Sequence, residues 1–415
     1  MQTGVNHEPH LALVAAHGES IGGMEKSCRF IVETAISHDW RVTVALSGQD
    51  VYGGLAPPGR RLAVDHVDWV DANLAGDRTC RMRVVLSRRR WFRRNRPSVV
   101  LFVQSSNTPF RAAVAGARLA GVPIVITHRT MPWIRDFVPS RRHVLGLLPG
   151  LGLHNRRQIL HTWLTAVLAE RIVYNSECTR RCYERDYHYP AGKGAVIANH
   201  LTPPDGPAGH AEPAETITIG YAGRLAAEKQ LDVLLRAVAA LPTPRPVRVL
   251  VYGEGPEREP LARLANELGL GRRVEWRGHS DDVWSAYARM DIVALCSRRE
   301  SSSNMVLEAM GAGKAVVVSD VGGLPELVKR GECGVIVPAG DVSALARALQ
   351  ELVEHDDRRT AMGEQARRVA VEKHDPQRIG GAWMGLLRCI AKPGMRRLVE
   401  SSNPAEPVPA NSVCP

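Results

Sequence analysis

Short runs of apolar and β-branched residues alternate along the chain with longer stretches in which apolar positions recur every three or four residues. Continuous apolar runs of this length favour strands that are buried on both faces, as in parallel sheets covered by helices. The stretches between them, such as Gln230–Leu241 and Glu257–Leu268, have helical spacing. The alternation therefore predicts an α/β protein with doubly wound parallel sheets. The predicted strands are Leu11–Ala16, Val42–Leu46, Val99–Val103, Val122–Thr127, Arg171–Tyr174, Thr216–Tyr221, Val247–Tyr252, Asp291–Cys296, Ala315–Ser319 and Gly334–Val337.

This rhythm occurs twice and is interrupted once. Residues 201–215 are rich in Pro and Gly, which is the composition of a linker. In a chain of 415 residues, we expect two Rossmann-like domains, 1–205 and 206–375, that face each other across a cleft. A helix at about 376–398 is expected to pack back on the first domain. Residues 399–415 are rich in proline and poor in large apolar residues, and we expect them to be a disordered tail.

Charge is divided unevenly between the two halves. Residues 1–200 carry 27 Lys and Arg against 15 Asp and Glu, whereas residues 201–415 carry 27 against 28. The basic excess belongs to the first half, which indicates that the halves have different partners. No apolar run approaches the ~20 residues of a membrane span. The first run is too short for a signal peptide and lacks preceding basic residues, so we expect a cytoplasmic protein.

The most informative segment follows the predicted strand Asp291–Cys296 and contains Glu300 and Glu308. Ser302 or Ser303 is suited to cap a helix that begins there. The start of such a helix presents free backbone N–H groups and a positive dipole end, which suit a diphosphate. Carboxylates do not bind phosphate, so Glu300 and Glu308 are expected to accept hydrogen bonds from sugar and ribose hydroxyls on either side of it.

Two cations and two glycines follow neighbouring strands of the same half. Arg224 and Lys229 come shortly after the strand Thr216–Tyr221, where they could neutralise a leaving diphosphate. Gly253 and Gly255 come directly after the next strand and allow the backbone to turn sharply. The sequence therefore places cations, carboxylates and tight turns at the carboxyl ends of one predicted sheet.

Together these motifs resemble glycosyltransferase family 4, the group 1 glycosyl transferases, whose retaining enzymes have two facing Rossmann-like domains (the GT-B fold). The resemblance is strong over 216–330 and thinner over 1–200. The matching positions are Glu300 and Glu308, Gly223-Arg224-Leu225 with Lys229, Gly253-x-Gly255-Pro256, Ser319–Glu326, Gly22-Gly23, His128 and Asn199, with His200 in place of a family Gly.

The resemblance implies roles for these residues. Arg224 and Lys229 would hold the diphosphate, Glu308 the ribose and Glu300 the transferred sugar. His128 is either a buried histidine or a residue that faces the substrate. The implied catalytic residues are Glu300, Arg224, Lys229 and His128. The implied donor-binding residues are Gly22, Gly23, Gly223, Arg224, Lys229, Gly253, Ser303, Asn304, Met305, Val306 and Glu308.

The implied reaction transfers a sugar from a UDP- or GDP-linked donor to an acceptor hydroxyl, with retention and without a metal ion. A basic first half favours an anionic acceptor, such as a lipid-linked or cell-envelope glycan. A small secondary metabolite is the alternative acceptor. Two other classes of protein also fit: a nucleotide-sugar epimerase of the same fold and a non-catalytic scaffold at a membrane surface.

Residues 81–96 contain eight arginines and no acidic residue. A helix here would either pack on its own domain or dock on anionic lipid, where each cation is worth about 1 kcal/mol. No element of the predicted fold supports nucleic-acid binding. We expect this segment to contact the inner face of a membrane. The predicted membrane or acceptor face is Arg88, Arg89, Arg90, Trp91, Phe92, Arg93 and Arg94.

Overall fold

The chain forms two compact units in the computed structural model. Of the described residues, unit 1 comprises those up to Ala198 together with Ile379–Ala391, and unit 2 comprises those within Asn199–Arg378. The chain passes from unit 1 to unit 2 between Ala198 and Asn199, a few residues before the predicted boundary at 205/206. The predicted tail 399–415 lies outside the described residues. The residues that the structure describes are 8–16, 22–47, 50–52, 55, 61–67, 78–104, 110–132, 153–203, 215–280, 282–328 and 333–391.

Unit 1 contains a seven-stranded parallel sheet in the order β3-β2-β1-β4-β5-β6-β7. Leu11 pairs with both Val42 and Val99, which places β1 between β2 and β4. The strands are β1 (His10–Ala16), β2 (Arg41–Ser47), β3 (Leu62–His66), β4 (Val99–Gln104), β5 (Ile124–His128), β6 (Arg171–Tyr174) and β7 (Gly194–Val196). The helices are α1 (Gly23–Ser37), α2 (Arg78–Asn95), α3 (Arg111–Ala120), α4 (Leu153–Leu168), α5 (Glu177–Asp186) and α13 (Pro376–Ala391).

Helices cover both faces of this sheet, and β1 contributes to both cores. Leu11 and Leu13 pack in the same buried cluster as residues of α1 and α13. Ala12 and Val14 point the other way, into a cluster with α2, α3 and α4. Because successive side chains of a strand alternate between faces, a strand buried on both faces is apolar throughout.

Helix α13 begins in the last residues of unit 2, but its apolar face lies in the core of unit 1. Trp383 and Leu387 are buried there. The Cβ atom that Gly380 lacks would lie 3.0 Å from Thr34 Cγ2, so α13 and α1 approach closely. The Arg129 guanidinium also lies 5.3 Å from the centroid of the Trp383 ring, within cation–π distance.

Unit 2 contains a six-stranded parallel sheet in the order β10-β9-β8-β11-β12-β13. The strand order reverses between β8 and β11, and open α/β sheets bind ligands at such a switch point. The strands are β8 (Ile217–Ala222), β9 (Val247–Tyr252), β10 (Val274–Gly278), β11 (Ile292–Leu295), β12 (Ala315–Ser319) and β13 (Val335–Val337). The helices are α6 (Leu231–Ala239), α7 (Arg258–Glu267), α8 (Val283–Ala288), α9 (Asn304–Gly311), α10 (Leu324–Val328), α11 (Val342–Glu354) and α12 (Asp356–Lys373).

The two doubly wound parallel sheets confirm the predicted fold class, while the facing arrangement and the cleft stay predictions. Each of the ten predicted strands is present. The pattern missed β3, β7 and β10, which are all edge strands. Partly buried and exposed residues are mixed in β3 and β10, and β7 is only three residues long. Such strands lack the continuous apolar run from which the other ten were predicted.

Candidate active site in unit 2

Lys229 and Glu300 meet at the switch point of the unit 2 sheet. Lys229 ends a short 3-10 turn after β8, and Glu300 lies in the loop between β11 and α9. Lys229 Nζ donates a hydrogen bond of 2.5 Å to Glu300 Oε2. Their side chains are 21% and 14% exposed, so the pair is only partly solvated. The structure thus brings a predicted phosphate-binding cation and the predicted sugar-binding carboxylate together.

Arg224 lies at the same end of the sheet but is mostly exposed. Its Nη2 donates a hydrogen bond of 2.5 Å to Glu228 Oε1, four residues further along the chain. Its backbone oxygen accepts a hydrogen bond of 2.8 Å from the buried Tyr221 hydroxyl. An exposed ion pair of this kind is worth about 0–1 kcal/mol, so the guanidinium can exchange Glu228 for an anionic ligand at little cost. Sequence reasoning did not assign a site role to Glu228 or Tyr221.

The loops that follow β8 and β9 contact each other closely at Gly223 and Gly253. Gly253 has φ +127°, and a Cβ atom there would overlap the carbonyl oxygen of Gly223. Gly223 N donates to Tyr252 O at 2.9 Å, and Gly253 N donates to Gly278 O at 2.6 Å. Gly253 therefore permits a close backbone approach that no side chain allows, and it sets the path of the loop that carries Arg224.

Helix α9 begins beside Glu300, and Ser303 is its N-cap. Ser303 Oγ accepts a hydrogen bond of 3.4 Å from Val306 N. The first N–H groups of a helix have no acceptor within it, so the N-terminus of α9 is a place that suits an anion. The side chains of Met305 and Val306 are buried in the core of unit 2. Any contact they make with a donor would therefore come from the backbone.

Glu308 lies further along α9, where its carboxylate is held by Tyr287 of α8. The Tyr287 hydroxyl is 3.2 Å from Glu308 Oε2 and 3.1 Å from Met305 O. Burial of Tyr287, together with the nearby negative charge of Glu308, raises the pKa of its phenol well above the ordinary value. Tyr287 consequently stays protonated and acts as the donor. Nothing in the local sequence singled out this tyrosine.

The loop after β12 fixes the backbone of Glu300. Gly322 has φ +57°, and a Cβ atom there would overlap the carbonyl oxygen of Glu300. Next to this contact, Ser319 Oγ donates a hydrogen bond of 2.6 Å to Ser297 O. The Gly322-Gly323 pair that resembled the family motif therefore supports the loop that presents the Glu300 carboxylate.

The first residue of unit 2 also contacts α9. Asn199 Nδ2 donates a hydrogen bond of 2.6 Å to Asn304 Oδ1 and lies 3.5 Å from Ser302 O. Asn199 O accepts a hydrogen bond of 2.7 Å from His374 Nδ1, and Leu201 N donates to His374 O at 2.8 Å. The beginning and the end of unit 2 are thus connected to each other and to the N-terminus of α9.

Gly22 and Gly23 lie in unit 1, at the start of α1. Gly22 is the N-cap of α1, and its N–H donates a hydrogen bond of 2.9 Å to Glu25 Oε2. This is half of a capping box, in which the carboxylate of the third helical residue reaches back to the cap. The observed contacts explain a local role for Gly22, and donor binding by Gly22 and Gly23 stays a prediction.

The structure does not support the substrate-facing role expected of His128. Its side chain is fully buried. The ring stacks on Tyr183 with 4.0 Å between centroids, and Nε2 lies 3.2 Å from the Tyr189 hydroxyl. Burial lowers the pKa of His128 to about 3. A neutral ring closed off from solvent in this way is the alternative that the sequence left open, a buried histidine of the unit 1 core.

Helix α2 exists as predicted, but its aromatic residues do not form a membrane face. Phe92 is fully buried in the core of unit 1. Trp91 is half-buried, and its Nε1 donates a hydrogen bond of 3.0 Å to Asp65 Oδ2. Arg88 and Arg89 are also half-buried, because α2 packs closely on α3 at Gly116. The assignment of Trp91 and Phe92 to an outer face is therefore wrong.

The outer face of α2 is instead basic and aliphatic. Its exposed residues are Met82, Arg83, Leu86, Ser87, Arg90, Arg93 and Arg94. We call the exposed arginines among them, Arg83, Arg90, Arg93 and Arg94, the α2 arginines. In the same helical layer, α4 exposes Leu160, Leu164 and Val167, which are spaced to share one side of that helix.

The described residues contain neither a membrane-spanning helix nor a cluster of metal-binding side chains. No helix in this part of the chain combines the length and the apolar character needed to cross a membrane. Among the same residues there is no group of three or more His, Cys, Asp or Glu side chains arranged to hold a metal ion. Metal independence of the reaction stays a prediction.

The protein is therefore a doubly wound α/β protein with two Rossmann-like sheets. An ion pair and a capped helix N-terminus lie at the switch point of the unit 2 sheet, where such folds bind polar ligands. Two family models match this chain: Glycosyltransferase Family 4 over residues 21–201 and Glycosyl transferases group 1 over residues 206–369. Between them they span most of the protein. The chain belongs to the group 1, family 4 glycosyltransferases, which confirms the family that its motifs indicated.

The curated relatives match one part of the chain. The lipopolysaccharide core biosynthesis glycosyltransferase LpsE of Rhizobium meliloti is 31% identical over 175 residues, which are 42% of this chain and 51% of that protein. A D-inositol 3-phosphate glycosyltransferase of Corynebacterium jeikeium is 41% identical over 164 residues, 37% of this chain and 39% of that protein. The chain thus spans about half or less of the length of these relatives.

Solved structures resemble the whole chain in fold. The structure of Anabaena HepE in complex with UDP-glucose has a TM-score of 0.72 and 18% identity, covering 91% of this chain and 99% of that one. WaaG, a glycosyltransferase involved in lipopolysaccharide biosynthesis, has a TM-score of 0.67 and 16% identity with the same coverage. At these identities the likeness shows the fold alone, and it agrees with the predicted GT-B class.

Proposed function

We propose that this protein is a retaining glycosyltransferase that moves a sugar from a nucleoside diphosphate donor to an acceptor hydroxyl. The ion pair of Lys229 with Glu300 at the switch point is the observation that carries the proposal. It places one cation and one carboxylate beside the N-terminus of α9. A diphosphate would need the cation, and the hydroxyls of a hexose would need the carboxylate as acceptor. Family membership and the fold of the solved relatives support the same class of reaction.

In the proposed site, different residues bind the diphosphate, the sugar and the ribose of the donor. The diphosphate lies at the N-terminus of α9, where backbone N–H groups and the helix dipole favour negative charge. Lys229 and Arg224 supply the cations, each released from a carboxylate partner, Glu300 or Glu228. Glu300 accepts hydrogen bonds from the sugar, and Glu308 from the ribose. Cations and N–H groups thus contact the charged diphosphate, and carboxylates contact the hydroxyls of the sugar and the ribose.

In the proposed reaction, the bond between the anomeric carbon and the phosphate oxygen breaks and negative charge grows on the leaving diphosphate. Lys229, Arg224 and the α9 N–H groups are aimed at that charge, which is the preorganised stabilisation that lowers such barriers most. The acceptor oxygen bonds to the anomeric carbon from the same face. The departing phosphate oxygen takes the acceptor proton, so configuration is retained. Glu300 positions the sugar and does not attack it.

A UDP-linked sugar is the proposed donor. The support is the structural likeness to HepE, which was solved with UDP, with UDP and glucose, and with UDP-glucose. A GDP-linked sugar is the alternative. Neither nucleoside is selected by a described side chain, so binding of UDP and GDP to the purified protein, measured by calorimetry, decides between them.

The acceptor is proposed to be an anionic or lipid-linked glycan of the cell envelope, reached from the inner face of a membrane. The support is the charge of unit 1. The α2 arginines are exposed beside Met82 and Leu86, and the described side chains of α2 include no acidic residue. A basic and aliphatic outer face complements an anionic lipid surface. LpsE, a relative by sequence, is a lipopolysaccharide core glycosyltransferase.

The decisive experiment incubates the protein with UDP-sugars in the presence and absence of membrane glycolipid extracts. We expect acceptor-dependent release of UDP and a product with the donor's anomeric configuration. Conversion of the donor without acceptor into a different sugar nucleotide would identify an epimerase. Vesicle binding without donor binding or turnover would identify a scaffold, and in either case the proposal would be wrong.

A further inference from the structure

Tyr287 is a buried tyrosine whose hydroxyl points toward a functional carboxylate. Its side chain is fully buried in unit 2. The hydroxyl reaches Glu308 Oε2 at 3.2 Å and Met305 O at 3.1 Å, so it contacts α9 at two places within its first turns. Helix α8, which carries Tyr287, is itself capped by Asp282, whose Oδ1 accepts hydrogen bonds of 3.1 Å from the backbone N–H groups of Trp284 and Ser285.

We propose that Tyr287 is a positioning residue that sets the Glu308 carboxylate for the ribose of a bound nucleotide. The inference rests on the proposed function, in which Glu308 accepts hydrogen bonds from ribose hydroxyls. It adds a residue from a different helix, one that does not touch the donor and acts through Glu308.

The physical reason is the flexibility of a half-buried glutamate. A Glu side chain loses rotamer freedom when it is fixed on a ligand, and fixing it beforehand removes that cost from binding. A carboxylate has about four lone-pair sites, so a single bond from Tyr287 leaves capacity for ribose hydroxyls. The phenol does not compete as an anion, because burial and the charge of Glu308 raise its pKa.

A second buried tyrosine of unit 2, on a strand of its sheet, provides a matched comparison. Tyr221 lies on β8, and its hydroxyl donates a hydrogen bond of 2.8 Å to the backbone oxygen of Arg224. That contact supports the loop on the phosphate side of the site. Removal of either hydroxyl deletes one buried hydrogen-bond donor, but only Tyr287 contacts the group assigned to the ribose.

The test compares the binding of UDP and 2′-deoxy-UDP by calorimetry in the wild-type protein and in the variants Tyr287→Phe, Tyr221→Phe and Glu308→Gln. We expect the wild type to prefer UDP by about 10-fold, the value of one good hydrogen bond to a charged group. Tyr287→Phe should reduce this preference to about 2–3-fold while leaving 2′-deoxy-UDP affinity nearly unchanged. Glu308→Gln should reduce it further, and Tyr221→Phe should leave the ratio as in the wild type.

The outcomes separate the inference from the proposed function. Absence of nucleotide binding, or a wild-type ratio near one, contradicts the donor site or the ribose role of Glu308. A normal wild-type preference that Tyr287→Phe leaves intact, with only a lower melting temperature, overturns the inference and makes Tyr287 structural. If Tyr287→Phe does not fold, incorporation of 4-fluorophenylalanine at position 287 replaces the hydroxyl with a group of similar size that cannot donate; an unchanged ratio in that protein also overturns the inference.

Discussion

Asn199 Nδ2 donates a 2.6 Å hydrogen bond to Asn304 Oδ1, so the first residue of unit 2 holds the first residue of α9. Asn199 is separated from Asn304 by more than a hundred positions, and its own carbonyl is bonded to His374 near the end of the unit. The N-terminus of α9, where the diphosphate is proposed to bind, is therefore fixed by the segment through which the chain enters unit 2.

Replacing Asn199 with Ala should weaken donor binding. Loss of one neutral hydrogen bond is worth about 0.5–1.5 kcal/mol, so we expect the donor KM to rise about 2–10-fold with a smaller change in kcat. Asn304→Ala removes the same bond from the other side. The double variant should lose little more than either single variant, because the two side chains share one interaction. Fully additive losses in steady-state kinetics would show that the bond does not couple them.

Lys229→Ala should lower kcat by about 100-fold or more, because a cation aimed at the leaving phosphate is worth several kcal/mol in the transition state. Lys229→Arg should recover part of the rate, since it keeps the charge. Glu300→Gln removes the ion pair while preserving size, and we expect it to lower kcat/KM. Initial rates over a range of donor concentrations measure these effects. Near-normal turnover of Lys229→Ala would remove Lys229 from the site.

Gly253→Ala should disrupt the site through the backbone. A Cβ at residue 253 would overlap the Gly223 carbonyl oxygen, so the loop that carries Arg224 must move. We expect loss of detectable donor binding and a clear fall in melting temperature. Gly269→Ala is the matched control, because Gly269 also has positive φ (+71°) but no heavy atom within 4 Å of a built Cβ. It should cost only the αL strain, about 1–2 kcal/mol; equal effects of both variants would mean that strain alone explains Gly253.

The parts of the site that were predictable from the sequence share a local signal. Ser303 follows a strand and precedes a helical pattern, and Lys229 and Glu300 follow predicted strands, so their place at one sheet edge could be expected. Tyr287 gives no such signal. In the sequence it is one more apolar position of a short helix, and only the packing of α8 on α9 brings its hydroxyl beside Glu308. The bond between Asn199 and Asn304 likewise joins distant segments. His128 shows the reverse: a motif position at the end of a strand is closed off by tyrosines that come later in the chain.

Burial of His128 should make unit 1 sensitive to acid. Its pKa is about 3 in the folded chain and about 6.5 when unfolded, so the unfolded state binds more protons between these values and stability falls as the pH drops below 6.5. At pH 4.5 the loss is about 2–3 kcal/mol from this group. Denaturant unfolding from pH 7.5 to 4.5 should therefore show a flatter profile for His128→Phe than for the wild type. His66→Gln, at an exposed position of β3, should match the wild-type profile; if His128→Phe matches it as well, the ring is protonated in the folded protein.

Removal of three of the four α2 arginines should weaken binding to anionic vesicles. Each cation near such a surface is worth about 1 kcal/mol, so Arg90→Ala, Arg93→Ala and Arg94→Ala together should lower partitioning into phosphatidylglycerol vesicles by about 100-fold at low salt. The effect should shrink in high salt, because exposed charges are screened. The same three changes at Arg263, Arg272 and Arg289, exposed residues of unit 2, keep the net charge equal and should have little effect. Cosedimentation measures both sets, and equal losses would mean that the protein responds to total charge and has no lipid-facing surface on α2.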